Sequence, residues 1–221
     1  LTDQQLIGPR LAIVNPLLWE IGHVAWFQER WVLRHQGGAA PIRSDADSLY
    51  DSANIRHENR WSIPLPSRNE TLDYIQRVLD RVLDLTLAHP LNDEAIYFGF
   101  LALFHEDMHG EAFAYTRQTL GYPCPSIGSS PPSRPEPAAG AGEPLPGDVV
   151  VPGGQFLLGS PPDSGFIFDN EKWAHPVQIR SFRIARAPVT NAEFARFVDD
   201  RGYEQRELWS NIGWAWRDRL H

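Results

Sequence analysis

The 221-residue chain carries 20 Lys and Arg against 28 Asp and Glu, which gives a formal net charge of −8 at pH 7. This acidic balance argues against a protein that follows nucleic-acid phosphates, and a single cysteine, Cys124, excludes an intrachain disulfide and a cysteine-based zinc cluster. A hydrophobic fraction of 42% with eight Trp is enough to build real cores. With no signal-peptide pattern and no apolar stretch of membrane-spanning length, we expect a cytoplasmic protein with no nucleic-acid or membrane partner.

Residues 1–122 have the pattern of a helical bundle. Three long helices are predicted to begin at Asn15, Ser67 and Asn92, each a residue type that caps helix N-termini. A weaker segment at residues 2–14 could supply a further helix. Long helices with short or moderate connections predict an antiparallel four-helix bundle.

The second half of the chain has a different composition. Residues 123–146 are dominated by Pro, Gly, Ser and Ala, which predicts a linker. After it, β segments broken by Gly and Pro precede a short helix that is predicted to begin at Thr190, with Glu193 at capping-box spacing. Residues 147–221 are therefore expected to form an α+β domain, and we expect that domain to be incomplete.

The motif HEDMH, residues 105–109, places two histidines at positions i and i+4. They lie about 40° apart around a helix, so both imidazoles can reach one metal ion. Apolar Leu101 and Ala112 share this face, which indicates that it points into the bundle. Two hydrogen-bonded core histidines are the alternative, but burying imidazoles side by side is costly without a partner. We therefore predict that His105 and His109 bind a metal.

A third histidine, His23, shares a helical face with Trp19, Trp26 and Phe27 and so also points inward. Such a residue alone is more often a satisfied core histidine than a ligand. Beside an inward-facing pair on another bundle helix, it becomes the obvious third ligand. Imidazole suits iron, zinc, copper and nickel alike, so the spacing does not name the metal.

HEDMH also matches the H-E-x-x-H signature of zinc peptidases, in which Glu106 would be the general base. The extended signature fails, because Ala112 and Tyr115 stand at the positions of its Gly and third His. The helix also runs into the Pro-rich segment, so no following helix can present a Glu ligand. We therefore regard the peptidase match as accidental and expect Glu106 to face polar surroundings.

The segments NPLLWEIGHVAWFQE and HEDMHGEA together resemble the DinB-type bundle of the ergothioneine-biosynthesis sulfoxide synthases. The segments VPGGQFLLGS, FIFDNEKWAHPV, FRIARAPVTNAEFARFV and LWSNIGWAW resemble the start of their second domain. That domain has the formylglycine-generating-enzyme (sulfatase-modifying-factor, C-type-lectin-like) fold. The resemblance implies non-haem Fe(II) held by His23, His105 and His109. It also implies O₂-dependent joining of sulfur to the imidazole C2 of hercynine, the trimethylated betaine of histidine.

Two departures from that family concern the donor of sulfur or selenium. Relatives that use γ-glutamylcysteine carry R-H-P-R, which grips the donor carboxylates, whereas this chain has RHEN from Arg56 to Asn59. The residue before the last ligand, often a Gln that helps bind the imidazole, is Met108. Both changes resemble the selenoneine synthases, which couple a selenosugar to hercynine. We therefore predict substrate-binding roles for Arg56, Asn59, Arg60 and Met108.

Several alternatives remain open from the sequence. The donor could be γ-glutamylcysteine or cysteine, with Arg60 replacing the lost contact. DinB-like bundles with three histidines also occur as metal-dependent thiol transferases, which need neither oxygen nor a second domain. A non-enzymatic protein would use the second domain as a carbohydrate- or partner-binding module. No catalytic residue is assigned, since the family's acid–base tyrosine is expected in a part of the second domain that this chain does not include.

Overall fold

A computed structural model describes residues 1–88, 90, 92–125 and 146–220. The chain divides into two compact units, Leu1–Pro132 with Asp163–Asn170, and Ser133–Pro162 with Glu171–His221. Most of the predicted linker, residues 126–145, lies outside the described residues, so the linker stays a prediction. A helical first part followed by a mixed helix-and-sheet second part is confirmed.

The first unit is built from helices. In chain order they are α1 (Asp3–Ile7), α2 (Leu17–Gln28), a π-helical segment (Glu29–Gln36), α3 (Ala46–Tyr50), α4 (Arg68–Ala88) and α5 (Asp93–Thr119). None of the helices in the described ranges has the length and apolarity that crossing a bilayer requires.

The predicted helix starts are confirmed at two of three positions. Asn92 caps α5, where its side chain accepts a hydrogen bond from the Ala95 N–H at 2.8 Å. Ser67 precedes α4 and exchanges hydrogen bonds with Glu70, which satisfies N–H groups that a helix start leaves unpaired. The prediction for Asn15 was wrong, because Pro16 takes the N-cap position of α2. The Asn15 side chain instead donates to Glu20 at 2.9 Å.

Helix α2 is the centre of the first unit and packs against α4 and α5. It is buried on nearly all sides, and its buried residues include polar Glu20, His23 and Gln28 beside the apolar ones. The largest fully buried apolar side chains of the core are Trp19, Tyr50 and Tyr74, each of which stabilises the fold by about 1.5–3 kcal/mol on burial. The close approach of Tyr50 requires Gly22, because a Cβ there would lie 2.2 Å from the Tyr50 ring.

The second unit contains two antiparallel strand pairs among its described residues. Strand β1 (Asp148–Val151) pairs with β4 (Phe182–Ala185), and β2 (Gly154–Leu158) pairs with β3 (His175–Ile179). Two helices follow, α6 (Asn191–Asp199) and α7 (Asn211–Leu220). The predicted capping box of α6, Thr190 with Glu193, is confirmed by reciprocal hydrogen bonds.

The loop Asp163–Asn170 follows β2 in sequence but belongs to the first unit. Its Ile167 is buried, and the Phe166 ring centroid lies 5.1 Å from those of Tyr97 and Phe104 on α5. The loop therefore covers an aromatic face of α5, the helix that carries two of the predicted metal ligands.

Candidate metal centre

Three histidines from two helices meet inside the bundle. His23 lies on α2, and His105 and His109 lie one turn apart on α5. The ring centroid of His23 is 5.0 Å from each of the other two, which are 4.5 Å from one another. One nitrogen from each ring can be chosen so that all three lie within 4.8 Å of one another. The sequence-predicted trio is therefore brought together by the fold.

The orientation of the His23 ring is held by two contacts. Its Nδ1 atom is 2.8 Å from the backbone carbonyl oxygen of Tyr50. Because a carbonyl only accepts, Nδ1 carries the hydrogen and Nε2 keeps the lone pair. Trp19 stacks on a face of the His23 ring, with ring centroids 4.6 Å apart and an interplanar angle of 12°. Burial lowers the pKa of His23 to about 4, so the imidazole is neutral at pH 7.

His105 is held by stacking. Its ring lies 3.6 Å from that of Phe27, centroid to centroid, at 8°. Burial lowers the pKa of His105 to about 3, and charge on either neighbouring imidazole would lower it further. The Nδ1 atom is buried and finds no hydrogen-bond partner within the described part of the chain.

His109 has a carboxylate for a neighbour. Its Nδ1 atom is also buried without a hydrogen-bond partner among the described residues. Oε1 of Glu20 lies 3.9 Å from it, which is too long for a hydrogen bond.

These observations fit a metal site. A buried polar atom without a partner is costly, and Nδ1 of His105 and Nδ1 of His109 are such atoms, so each ring needs a further partner, either a metal ion or a hydrogen-bond acceptor. His23 and His105 are held neutral, which is the form that binds metals. The ligands stand on packed helices rather than on loops. The cluster His23, His105 and His109 could therefore hold a metal ion, for which imidazole is a suitable donor.

Arg60 is linked to the histidine cluster by Trp19, which contacts both Arg60 and His23. Its guanidinium carbon is 4.1 Å from the Trp19 ring centroid, and its Nη1 donates to the side-chain oxygen of Asn15 at 2.7 Å. The Trp19 ring therefore contacts both the Arg60 guanidinium and the imidazole of His23, one of the three clustered histidines.

The other predicted substrate-binding residues are more exposed. Arg56 precedes a 3₁₀ turn, His57–Asn59, and makes a long ion pair with Glu58 at 3.8 Å. Asn59 is exposed, and Met108 exposes 50% of its surface. Their contact with a substrate stays a prediction. Glu106 is exposed and accepts a hydrogen bond from Gln28 at 2.6 Å, but it also borders an apolar groove that includes Val32 and Leu103, so its polar surroundings stay a prediction.

Three neighbours of the cluster were missed from the sequence. Glu20 precedes His23 by three residues on one helix, and helical spacing could have indicated that it shares the inward face. Phe27 was placed on the inward face but not against His105. The contact of Tyr50 goes through its backbone carbonyl across 27 residues, and no side-chain pattern encodes such a contact.

Comparison with known families agrees with this architecture. Residues 1–112 match the DinB superfamily, and residues 133–220 match the sulfatase-modifying factor enzyme 1-like domain. Since the first match covers half of the chain, the chain belongs to the DinB superfamily. The order of its two domains fits the ergothioneine sulfoxide synthase-like family that the sequence motifs predicted.

Individual relatives extend this comparison. The chain is 35% identical to hercynine oxygenase of Mycolicibacterium smegmatis over 97% of its own length and 50% of that protein. It is 33% identical to hercynine oxygenase of Mycobacterium tuberculosis, over 98% and 50% respectively. A formylglycine-generating enzyme of Streptomyces coelicolor is 42% identical over 31% of this chain and 24% of its own length. The chain spans about half the length of the hercynine oxygenases that it matches.

Proposed function

We propose that this chain contributes the metal site of an Fe(II)- and O₂-dependent enzyme that forms a carbon–selenium or carbon–sulfur bond at the imidazole C2 of hercynine. The observation that carries the proposal is the buried cluster of three imidazoles on α2 and α5. Its support is the similarity to hercynine oxygenases, whose name states both the substrate and the use of oxygen.

The chain's own residues would act as binding and orienting groups. His23, His105 and His109 would hold Fe(II), which when bound supplies the activation of O₂. The Tyr50 carbonyl keeps the His23 ring turned so that Nε2 is available. Phe27 and Trp19 prevent the rings of His105 and His23 from rotating out of the cluster. Three protein ligands leave coordination positions open for exogenous molecules.

The reaction needs an oxidant whichever donor is used. The C–H bond at C2 and the chalcogen–hydrogen bond break, a carbon–chalcogen bond forms, and two electrons and two protons are released. O₂ accepts them. Transfer of one oxygen atom to the chalcogen and release of the other as water uses all four oxidising equivalents of O₂.

The residues predicted to bind the donor favour a selenosugar. γ-Glutamylcysteine presents two carboxylates and calls for paired guanidinium groups, whereas a sugar presents hydroxyls and calls for neutral hydrogen-bonding groups. The exposed amide of Asn59 is of the second kind. Arg60, the candidate replacement for the missing arginine, is engaged by Asn15 and Trp19. This engagement weakens the case for a dicarboxylate donor.

Competition between donors tests the proposal. Fe(II)-loaded protein is given hercynine with equal concentrations of selenosugar, γ-glutamylcysteine and cysteine, while oxygen uptake is recorded and products are identified by mass spectrometry. The expected result is hercynine-dependent oxygen uptake and a selenium-containing product. A product carrying only sulfur from γ-glutamylcysteine would overturn the donor assignment but keep the reaction class.

The same measurement separates the other functions. A DinB-type thiol transferase would turn over without oxygen, so undiminished product under anaerobic conditions would contradict the oxidative chemistry. A binding module would give no turnover under either condition, and that outcome would remove the enzymatic proposal altogether.

A further inference from the structure

Glu20 is a buried carboxylate that the proposed reaction does not use. It lies on α2 with 1% of its surface exposed. Its Oε1 atom accepts one hydrogen bond, from the Asn15 amide at 2.9 Å. Its Oε2 atom is buried without a hydrogen-bond partner in the described ranges. Oε1 also lies 3.9 Å from the Nδ1 atom of His109, which is unpartnered in the same part of the chain.

Such a carboxylate needs positive charge nearby. Removing an ionised group from water is unfavourable unless a cation and hydrogen bonds replace the lost solvent. Arg60 is one source of positive charge. It donates to Asn15 at 2.7 Å, and Asn15 in turn donates to Glu20, but Arg60 makes no direct ion pair with Glu20 among the described residues. The other source of positive charge is a metal ion held by the three imidazoles. Glu20 lies 3.9 Å from Nδ1 of His109, one of the three imidazoles.

The three rings of the cluster are also held by three different means. His23 is fixed by the Tyr50 carbonyl, and His105 is fixed by stacking on Phe27. For His109, the carboxylate of Glu20 lies 3.9 Å from Nδ1. A histidine that binds a metal through one nitrogen commonly donates its other N–H to a carboxylate or carbonyl, which orients the ring and makes it a stronger ligand.

We propose that Glu20 is the positioning residue of the metal site. When a metal is bound, the 3.9 Å separation closes to a hydrogen bond in which Glu20 accepts the Nδ1–H of His109, which leaves Nε2 for the metal, and the negative charge of Glu20 balances the bound cation. The inference rests on the metal site of the proposed function, but it does not depend on the substrate or on which divalent metal is bound. It assigns Glu20 no contact with a substrate and no transfer of a proton.

Glu20→Gln is the sharpest variant, because it removes the charge and keeps the shape of the side chain. Its carbonyl oxygen can still accept the Asn15 hydrogen bond. The matched control is Glu106→Gln, which makes the same charge change next to His105 in sequence. Glu106 is exposed and is bound to Gln28, so the control changes charge without touching the neighbour of His109.

The readouts are metal affinity, the spectrum of bound cobalt and the stability of the metal-free protein. Metal-free proteins are titrated with Zn²⁺ against a chromophoric chelator and with Co²⁺, whose visible absorption reports on the ligand field. We expect Glu20→Gln to bind Zn²⁺ about 10–100-fold more weakly and to change the Co²⁺ bands, with Glu106→Gln within twofold of wild type. Glu20→Asp, which keeps the charge, should recover part of the affinity.

The thermal midpoint distinguishes positioning from a structural role. Without metal, Glu20→Gln should be as stable as wild type or more so, because it buries an amide in place of a carboxylate. If the metal-free variant is clearly destabilised, Glu20 is a structural residue and the proposal is overturned. Equal Zn²⁺ affinity for Glu20→Gln and wild type would also overturn it, while the metal site itself would stand. If wild type binds neither metal, both the site and the role of Glu20 are lost.

Discussion

His23 and Tyr50 are joined by a 2.8 Å hydrogen bond between the imidazole Nδ1–H and a backbone carbonyl oxygen, across 27 residues of chain. Because the acceptor is part of the backbone, no substitution of the Tyr50 side chain removes it directly. The bond depends instead on how closely α3 approaches α2. That approach is set by Gly22, the residue before His23, against which the Tyr50 ring lies.

Gly22→Ala should therefore damage both stability and metal binding. The new Cβ would lie 2.2 Å from the Tyr50 ring, so α3 must move and take the carbonyl with it. We expect the free energy of unfolding to fall by about 1–3 kcal/mol, as overpacked cores do, with weaker Zn²⁺ binding. Urea unfolding and zinc titration measure the two effects.

Gly99→Ala on α5 is the control for that variant. Nothing lies within 4 Å of a Cβ at Gly99, so this change should leave stability equal or increase it by about 0.4–1 kcal/mol. If Gly22→Ala behaved like the control, the close approach of Tyr50 would not be what orients His23.

The metal-free protein should lose stability in mild acid because of its buried imidazoles. Burial lowers the pKa of His23 to about 4 and that of His105 to about 3, from an ordinary 6.5. As the pH falls below 6.5, these two histidines become protonated in the unfolded chain while they stay neutral in the folded protein. The free energy of unfolding then decreases by up to about 1.4 kcal/mol per pH unit for each histidine until the pH reaches the folded pKa.

His105→Phe isolates one of these contributions. The new ring can still stack on Phe27, so the substitution removes the titration and keeps the packing. Urea unfolding in the presence of a chelator, at intervals between pH 6.5 and 4, should give a shallower pH dependence for the variant, by about one proton. Parallel curves for the two proteins would show that His105 is not held neutral by the fold.

Glu106→Gln should leave hercynine-dependent oxygen uptake within twofold of wild type. Glu106 is exposed and accepts a hydrogen bond from Gln28 at 2.6 Å, which a Gln carbonyl can also accept. In a zinc peptidase this carboxylate would be the general base, and its loss would lower the rate by about 10²–10⁴-fold. A loss of oxygen uptake of that size would show that Glu106 takes part in the oxygen-dependent reaction, and peptide cleavage that disappears in Glu106→Gln would support the peptidase hypothesis instead.

Asn59→Arg should shift donor preference toward γ-glutamylcysteine. A guanidinium restores one of the two positive groups that carboxylate donors require, and hydrogen bonds to charged groups contribute about 1.5–3 kcal/mol. The ratio of kcat/KM for γ-glutamylcysteine to that for the selenosugar should therefore rise by about tenfold or more. Asn54→Arg adds the same charge five residues earlier in an exposed part of the chain. An equal shift in both variants would indicate a general charge effect rather than a donor contact at residue 59.

The parts of this site that could be predicted are those that depend on helical spacing. His105 and His109 share a face because they are four residues apart, and the aromatic neighbours of His23 identify its inward direction. The start of α2 was misplaced by one residue. The Asn15 side chain donates a hydrogen bond to the buried Glu20 and does not cap the backbone N–H groups at the helix start. The prediction used local capping preference, and tertiary contact overrode it.

The contacts that depend on the backbone or on distant segments were beyond prediction. The carbonyl of Tyr50 is chemically identical to every other carbonyl in the chain, so only the fold selects it for His23. The engagement of Arg60 by Trp19 joins two helical regions whose relative placement is decided by the whole core. Sequence patterns indicate which face of a helix is buried, but they do not indicate which residues of other elements pack against that face.

The packing of Asp163–Asn170 onto α5 makes the histidine-bearing unit discontinuous along the gene. Phe166 lies more than forty positions beyond the end of α5, on the far side of β1 and β2, yet its ring packs against Tyr97 and Phe104 of that helix. Its neighbour Ile167 is buried. A single recombination point between the two domains would therefore separate α5 from the loop that packs on its aromatic face. A viable chimaera must either take this loop along with the bundle or receive an equivalent one from its new partner.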